Sequence, residues 1–371
     1  MLAIYRKYRP TTFDDVLGQD LVVKTLKEAA RRDRLAHAYL LSGPRGTGKT
    51  TTARLIAKIA NCETREKDAA FRAKGEPCNV CNACKDINSG RAIDVVEIDA
   101  ASNRGIDDIR NLKEIVATAP GFFKQKIFII DEAHMLTKEA FNALLKTLEE
   151  PPPYVILILA TTEAEKIPAT ISSRTQQFYF KRVSVDKIIG KLKDIAGTEK
   201  IRISAEALEL IAASAEGSFR DAESLLDQLH SFGSEEIKLE DVEITLGKVG
   251  FDKLSQIAGF LLENNLDRSL ETLSDIEDHG FNLAQFTKDL IQYLRRTAVL
   301  KYNPEMNEAF KGELMNEHLE KLVAHARIFK DGHVNLIKTL INAYSQMRYS
   351  EFPIIPLEVA LVESLKNTNK H

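Results

Sequence analysis

Gly43-Pro44-Arg45-Gly46-Thr47-Gly48-Lys49-Thr50 fits the phosphate-loop pattern, in which glycines, a lysine and a hydroxyl residue stand at fixed spacing. Such glycines let backbone N–H groups face phosphate oxygens, and a helix starting after the loop offers its positive N-terminal end to the same anion. Lys49 would reach the β and γ oxygens and the Thr50 hydroxyl would ligate magnesium, with Thr51 beside it completing the nucleotide-binding set. A plain Gly-rich turn is the competing reading.

A second pattern lies further along, Ile127-Phe128-Ile129-Ile130-Asp131-Glu132-Ala133-His134. An apolar strand delivers Asp131 to its C-terminal edge, where open α/β sheets bind ligands. Asp131 would hold magnesium, mostly through water, and Glu132 would orient and polarise the attacking water, which needs a carboxylate within hydrogen-bond reach. Alone, Asp-Glu after an apolar run reads as a surface strand end. Paired with the phosphate loop, it favours hydrolysis over nucleotide storage.

The third pattern is metal-like. All four cysteines, Cys62, Cys78, Cys81 and Cys84, fall in one insertion as C-x15-C-x2-C-x2-C. Four thiolates at this spacing suit a closed, tetrahedral structural zinc, which stabilises its surroundings and does not catalyse. Disulfides or unligated thiols are the alternatives. A reducing compartment disfavours the first and the clustering disfavours the second.

The elements that must position these residues read as alternating strands and helices. Ala38 to Ser42 predicts a buried strand and Thr50 to Ala60 a helix, through Ala53, Ile56, Ala57 and Ala60. Three further buried strands are expected at Asp94 to Asp99, Lys126 to Ile130 and Val155 to Ala160. This alternation predicts an α/β fold with a mostly parallel sheet covered on both faces. Thr137 is the expected N-cap of a helix through Ala140, Leu144, Leu145 and Leu148, stopped by Pro151, Pro152 and Pro153. After about Tyr179 the strand signal fades. Ser204 opens a helix ending near Gly217, Ser218 and Asp221 make a capping-box-like start for the next, and from about Val249 the pattern is helical. Leu283, Phe286, Leu290, Leu294 and Thr297 share one face, which reads as core.

A chain of 371 residues has room for two or three domains. With 51 Lys and Arg against 54 Asp and Glu, the net charge of −3 excludes a polycation that coats nucleic acid, so any DNA contact must be local. Residues 1 to 60 nevertheless carry twelve Lys or Arg against five Asp or Glu, which reads either as a solvated basic face or as an anion site near the amino terminus. Arg6, Lys7 and Arg9 are followed by Thr11-Thr12-Phe13-Asp14-Asp15, which is not the apolar stretch of a secretory signal. No run approaches the roughly 20 apolar residues of a spanning helix, so the expectation is a cytoplasmic protein without a membrane.

Taken with Tyr5-Arg6-Lys7-Tyr8-Arg9-Pro10 and Gly18-Gln19, these motifs resemble the gamma/tau family of bacterial DNA polymerase III clamp-loader subunits, which are AAA+ ATPases. The resemblance implies an AAA+ nucleotide-binding α/β domain over residues 1–179 with a zinc insertion at about 62–90, a helical lid over 180–242 and a helical collar over 243–371. It implies ATP, Mg2+ and Zn2+ as cofactors and ATP hydrolysis to ADP and phosphate. Implied partners are delta-type and delta-prime-type subunits, copies of the chain itself in a ring, the sliding clamp, and primed DNA held by phosphate contacts.

Residue by residue, the resemblance makes Thr161 or, preferably, Thr162 the sensor of the γ-phosphate. In Ser172-Ser173-Arg174-Thr175, Arg174 would be an arginine finger acting in trans, with Thr175 in place of the family's usual Cys. Arg220, in Gly217-Ser218-Phe219-Arg220-Asp221, would contact phosphate in cis from the lid. Tyr8, Arg9 and Pro10 would border adenine and ribose, and Arg104 is a candidate DNA contact. The family also has a long form with further carboxyl-terminal domains, so this chain is expected to be a short form or a shortened chain. Two rivals share parts of the pattern. An AAA+ branch-migration or helicase motor is disfavoured by the cysteine insertion and the amino-terminal motif, and a nucleotide-gated scaffold without turnover is disfavoured by Lys49, Thr50 and Glu132.

Overall fold

The computed structural model describes residues 3–102, 115–233, 235–311 and 314–367. Arg104 lies outside the described residues. The described chain divides into two compact units: one runs to Val183 and includes Glu216–Ser224, and the other comprises Ser184–Ala215 and the chain from Leu225 onward.

The first unit is built on a five-stranded sheet of β1 (Ala38–Ser42), β2 (Val95–Asp99), β3 (Lys126–Asp131), β4 (Val155–Thr161) and β5 (Gln176–Tyr179). The spatial order is β2-β3-β4-β1-β5, and every neighbouring pair is parallel. Period-two alternation sends side chains to opposite faces. Tyr39, Leu41, Ile127, Ile129, Ile156 and Ile158 pack on one face with Leu55 and Ile56 of the Lys49–Asn61 helix. Ala38, Leu40, Phe128, Ile130, Leu157 and Leu159 pack on the other with Phe141, Leu144 and Leu148 of the Lys138–Glu149 helix. Two covered faces explain why β1 and β4 are apolar throughout and buried at every position.

Two strands depart from expectation. β5 is an additional strand, and its signal was weak because it is a four-residue edge strand with only Phe178 buried. β2 is not the buried strand its composition predicts. It forms the opposite edge, with every residue partly or fully exposed, because only β3 pairs with it among the described strands. Thr137 caps its helix as expected, accepting a 3.2 Å hydrogen bond from the Ala140 amide, and the helix ends at Glu149 before the three prolines.

The second unit is helical. Ser204 caps Ala205–Ser214, accepting from the Ala207 amide at 3.2 Å, and this helix ends three residues before Gly217, with Ala215 as its C-cap. From Phe251 to Asn367 the helices enclose one apolar core. Leu283, Phe286, Leu290, Leu294 and Thr297 are all buried in it, as core-face spacing predicts. Its polar centre is satisfied internally, with the Tyr293 hydroxyl 3.0 Å from Ser255 Oγ and 2.8 Å from His325 Nδ1. No helix among the described residues is long and apolar enough to cross a membrane.

Candidate nucleotide and metal sites

Sheet order brings the predicted residues together. The central strands β3, β4 and β1 are adjacent, and each releases a functional segment at its C-terminal end. Residues Gly43–Gly48 follow β1, Asp131-Glu132 ends β3, and Thr161-Thr162 ends β4. The β4 carbonyl of Thr161 accepts from the Gly43 amide at 3.2 Å, which ties the phosphate loop to the strand beside it.

The loop conformation requires its glycines. Gly43, Gly46 and Gly48 have φ of +141°, +72° and +102°, a region costly for other residues. A Cβ on Gly43 would lie 2.3 Å from the Phe180 carbonyl oxygen, and one on Gly46 would lie 1.8 Å from Ser218 Oγ. Thr47 is buried and donates to the Pro44 carbonyl at 2.8 Å, while Arg45 is exposed. Gly48 caps the Lys49–Asn61 helix, which places Thr50 and half-buried Thr51 in its first turn.

Lys49 is buried and curls back over the loop, donating from Nζ to the Gly43 and Pro44 carbonyls at 2.8 Å each. Burial pushes its pKa below the usual lysine range, with the carboxylates of Glu132 and Asp131 opposing the shift. Thr50 Oγ1 donates to Asp131 Oδ2 at 2.7 Å. Glu132 sits at φ +48°, a left-handed conformation unusual for a glutamate, and its amide donates to Asp131 Oδ1 at 2.9 Å. Thr162 Oγ1 donates to Glu132 Oε2 at 3.1 Å. One polar chain therefore runs from the phosphate-loop helix through both carboxylates to the end of β4. Thr161 reaches Glu132 only indirectly: fully buried, it lies 3.1 Å from His134 Nδ1, which is 3.5 Å from Glu132 Oε2, and it accepts from the Glu163 amide at 3.0 Å.

Residues 216–224 complete the loop's surroundings. The Phe219 amide donates to the Gly46 carbonyl at 3.2 Å, and Ser218 caps the helix after it. Arg220 lies over the Tyr5 ring, 5.2 Å from its centroid. Burial lowers the Arg9 pKa, and the neighbouring Arg54, Arg220 and Arg6 lower it further while Glu97 opposes them. Tyr8, Arg9 and Pro10 are all half-buried. The sequence reading missed Arg54 and Glu97. They are paired at 2.7 Å and, with Asp99 and Asp131, line a cleft of about 590 Å³. Arg54 stands five residues after Lys49, so helical spacing marked its neighbourhood but gave no partner. Arg174 stands apart, donating to the Thr170 carbonyl at 2.8 Å and pairing with Glu149 at 2.8 Å, with both side chains partly exposed.

The cysteines converge. The Sγ atoms of Cys62, Cys78, Cys81 and Cys84 lie within 4.8 Å of one another, and Cys78 and Cys84 are 3.9 Å apart. A tetrahedral zinc with bonds of about 2.3 Å would need sulfurs about 3.8 Å apart, so the donor set fits. Backbone amides also point at sulfur: those of Val80 and Cys81 donate to Cys78 at 3.4 and 3.3 Å, and that of Cys78 to Cys62 at 3.4 Å. Amide donors of this kind favour thiolate over thiol.

Comparison with known proteins adds a family. Residues 18–184 match the family described as DNA polymerase III, delta subunit; 187–235 the clamp loader subunit ATPase lid domain; and 237–368 domain III of subunits gamma and tau. The gamma subunit of Buchnera aphidicola subsp. Baizongia pistaciae is 36% identical over 319 residues, which cover 85% of this chain and 84% of that one. The chain belongs to the DNA polymerase III gamma/tau family. Other gamma/tau members are longer. The tau subunit of Bacillus subtilis is 41% identical over 99% of this chain but only 64% of its own, and that of Escherichia coli 40% over 81% and 45%. This family member thus spans about half to two thirds of those tau subunits. Like the AAA+ fold expected of it, it combines a parallel sheet and phosphate loop with a lid and a helical carboxyl-terminal domain.

Proposed function

We propose that this chain is the motor subunit of a bacterial replicative clamp loader: it binds ATP, hydrolyses it to ADP and phosphate, and uses the cycle to open a sliding clamp and close it around primed DNA. Family membership supports the loader role. The observation that carries the ATPase reading is the 2.7 Å bond from Thr50 to Asp131 with Glu132 and Thr162 in line behind it.

Lys49 would leave the Gly43 and Pro44 carbonyls for the β and γ oxygens, because a doubly charged phosphate outcompetes neutral acceptors for a buried ammonium. Thr50 and Asp131 would hold magnesium, which supplies charge neutralisation between the phosphates. Glu132, held by Thr162, would orient the attacking water and take its proton. Tyr8, Arg9 and Pro10 would border the base and ribose, and Arg220 would contact phosphate from its place above the loop. Arg174 would leave Glu149 to reach the site of a neighbouring subunit. Such a finger supplies roughly 10³ to 10⁵ in rate, or about 4 to 7 kcal/mol of barrier, so turnover would depend on assembly.

Cys62, Cys78, Cys81 and Cys84 would hold a closed structural zinc, which stabilises the insertion. The proposed partners are delta-type and delta-prime-type subunits, further copies of this chain, the clamp, and DNA through phosphate contacts. The proposed domains are residues 1–179, 180–242 and 243–371.

The test is ATPase activity of the assembled loader with and without clamp and primed DNA. Synergistic stimulation that Lys49→Ala abolishes is expected. Turnover indifferent to both clamp and DNA would overturn the reading.

A further inference from the structure

The four-cysteine insertion grips the amino-terminal segment directly. Its Glu76 carboxylate accepts from the Phe13 amide at 2.7 Å and the Asp14 amide at 3.2 Å. Its Asn79 donates from Nδ2 to the Thr11 carbonyl at 3.0 Å. The same carbonyl accepts at 2.7 Å from Lys58 Nζ, a buried group on the phosphate-loop helix that also donates to Asn79 Oδ1 at 2.8 Å. Thr11, Asn79 and Lys58 thus form a closed triangle. Glu76 and Asn79 flank Cys78 in the chain, so whatever fixes the cysteine loop fixes these two grips. Asn79 also holds a left-handed backbone, φ +59°. The segment so held follows Pro10 without a break, and Tyr8 to Pro10 is the stretch assigned above to the base and ribose.

We propose that Glu76 and Asn79 are positioning residues for nucleotide binding, which set the place of Tyr8–Pro10 against the adenosine half of ATP without touching it. The proposal rests on the ATP-binding reading of the previous subsection. It predicts a specific split. Phosphate contacts belong to Gly43–Thr50, which these two residues do not contact, so losing the grip should weaken recognition of adenosine and spare recognition of triphosphate.

The experiment measures binding of a fluorescent ATP analogue to the full chain, and its displacement by ATP and by inorganic tripolyphosphate. With Glu76→Ala/Asn79→Ala, ATP is expected to bind about tenfold more weakly while tripolyphosphate affinity stays within about twofold, as loss of the bonds to the Thr11 carbonyl and the Phe13 and Asp14 amides, together with the side-chain contacts to Lys27 and Lys58, would give. Glu76→Gln, which keeps one acceptor, should recover part of the loss. Metal analysis should find the same zinc content in variant and parent, and amide exchange should rise at residues 8–16 but not along Lys49–Asn61. Unchanged ATP affinity, or equal weakening of ATP and tripolyphosphate, would overturn the proposal. A parent chain that binds tripolyphosphate no worse than ATP would overturn it too, by removing the adenosine contact it depends on. A parent that binds neither would overturn the ATP-binding reading itself.

Discussion

The two threonines at the end of β4 are adjacent in sequence and differ in burial and in their hydrogen-bond partners. Thr162 donates to the carboxylate proposed to orient water, whereas Thr161 is fully buried and serves His134 and the Glu163 amide. Thr162→Val should therefore cut loader ATPase by at least about tenfold with nucleotide affinity little changed, because it frees Glu132 from its orienting bond. Thr161→Val should instead lower stability by about 1–2 kcal/mol, since the part-buried Glu163 amide and His134 Nδ1 each lose a hydrogen-bond partner. Steady-state kinetics beside thermal melts separates the two, and the reverse pattern would move the sensor to Thr161. Residue types and spacing singled out Lys49, Thr50, Asp131, Glu132 and the four cysteines as candidates, and the structure brings Thr50, Asp131 and Glu132 together in one cluster and the cysteines in another. Type and spacing could not choose between Thr161 and Thr162, because the direction of a side chain at a strand's end depends on what packs around it.

At the scale of elements, β1 and β4 were legible because both faces of each are covered, which writes a continuous apolar run into the sequence. The edges were not. β5 exposes three of its four residues, and β2 mixes Glu97 and Asp99 into its run, so neither advertises how it pairs. The loop that leads into β3 is set by a buried group the sequence did not single out. The Asp94 carboxylate accepts from the amides of Gly121, Phe122 and Phe123 at 2.7–2.9 Å. Asp94→Ala strands these three donors, and a loss of about 2–3 kcal/mol is expected. Denaturant unfolding of the full chain checks it, and a change below about 0.5 kcal/mol, the usual range for surface sites, would mean the amides find other partners.

For the whole molecule, the proposed mechanism divides one active site between two chains: Lys49 acts in cis and Arg174 in trans. Arg174 pairs with Glu149 of its own chain, both side chains partly exposed, and in the proposed mechanism it leaves that pair for a neighbour's site. If so, loaders built with Lys49→Ala alone or Arg174→Ala alone should be nearly inactive where identical subunits adjoin. A random mixture of the two should regain turnover at about one quarter of such sites, those with an intact lysine and an intact neighbouring arginine. ATPase of mixed assemblies reads this directly, and no recovery would place Arg174 outside its neighbour's site.

The sequence by itself determined the chemistry on offer: a phosphate loop, an acidic strand end, four thiols at metal-binding spacing, and core strands and helices whose apolar period matches their burial. Those signals are local, because glycine conformation, hydrophobic period and ligand spacing act over a few residues. Only the tertiary structure decided which groups meet. Strand order puts the ends of β1, β3 and β4 side by side, so Thr50, Asp131, Glu132 and Thr162 form one chain although more than 100 residues separate the first from the last. The same holds for Glu76 and Asn79 on residues 11–14, more than 60 positions away. Hydrogen bonds across such distances depend on the packing of whole elements, and no spacing within the chain encodes them.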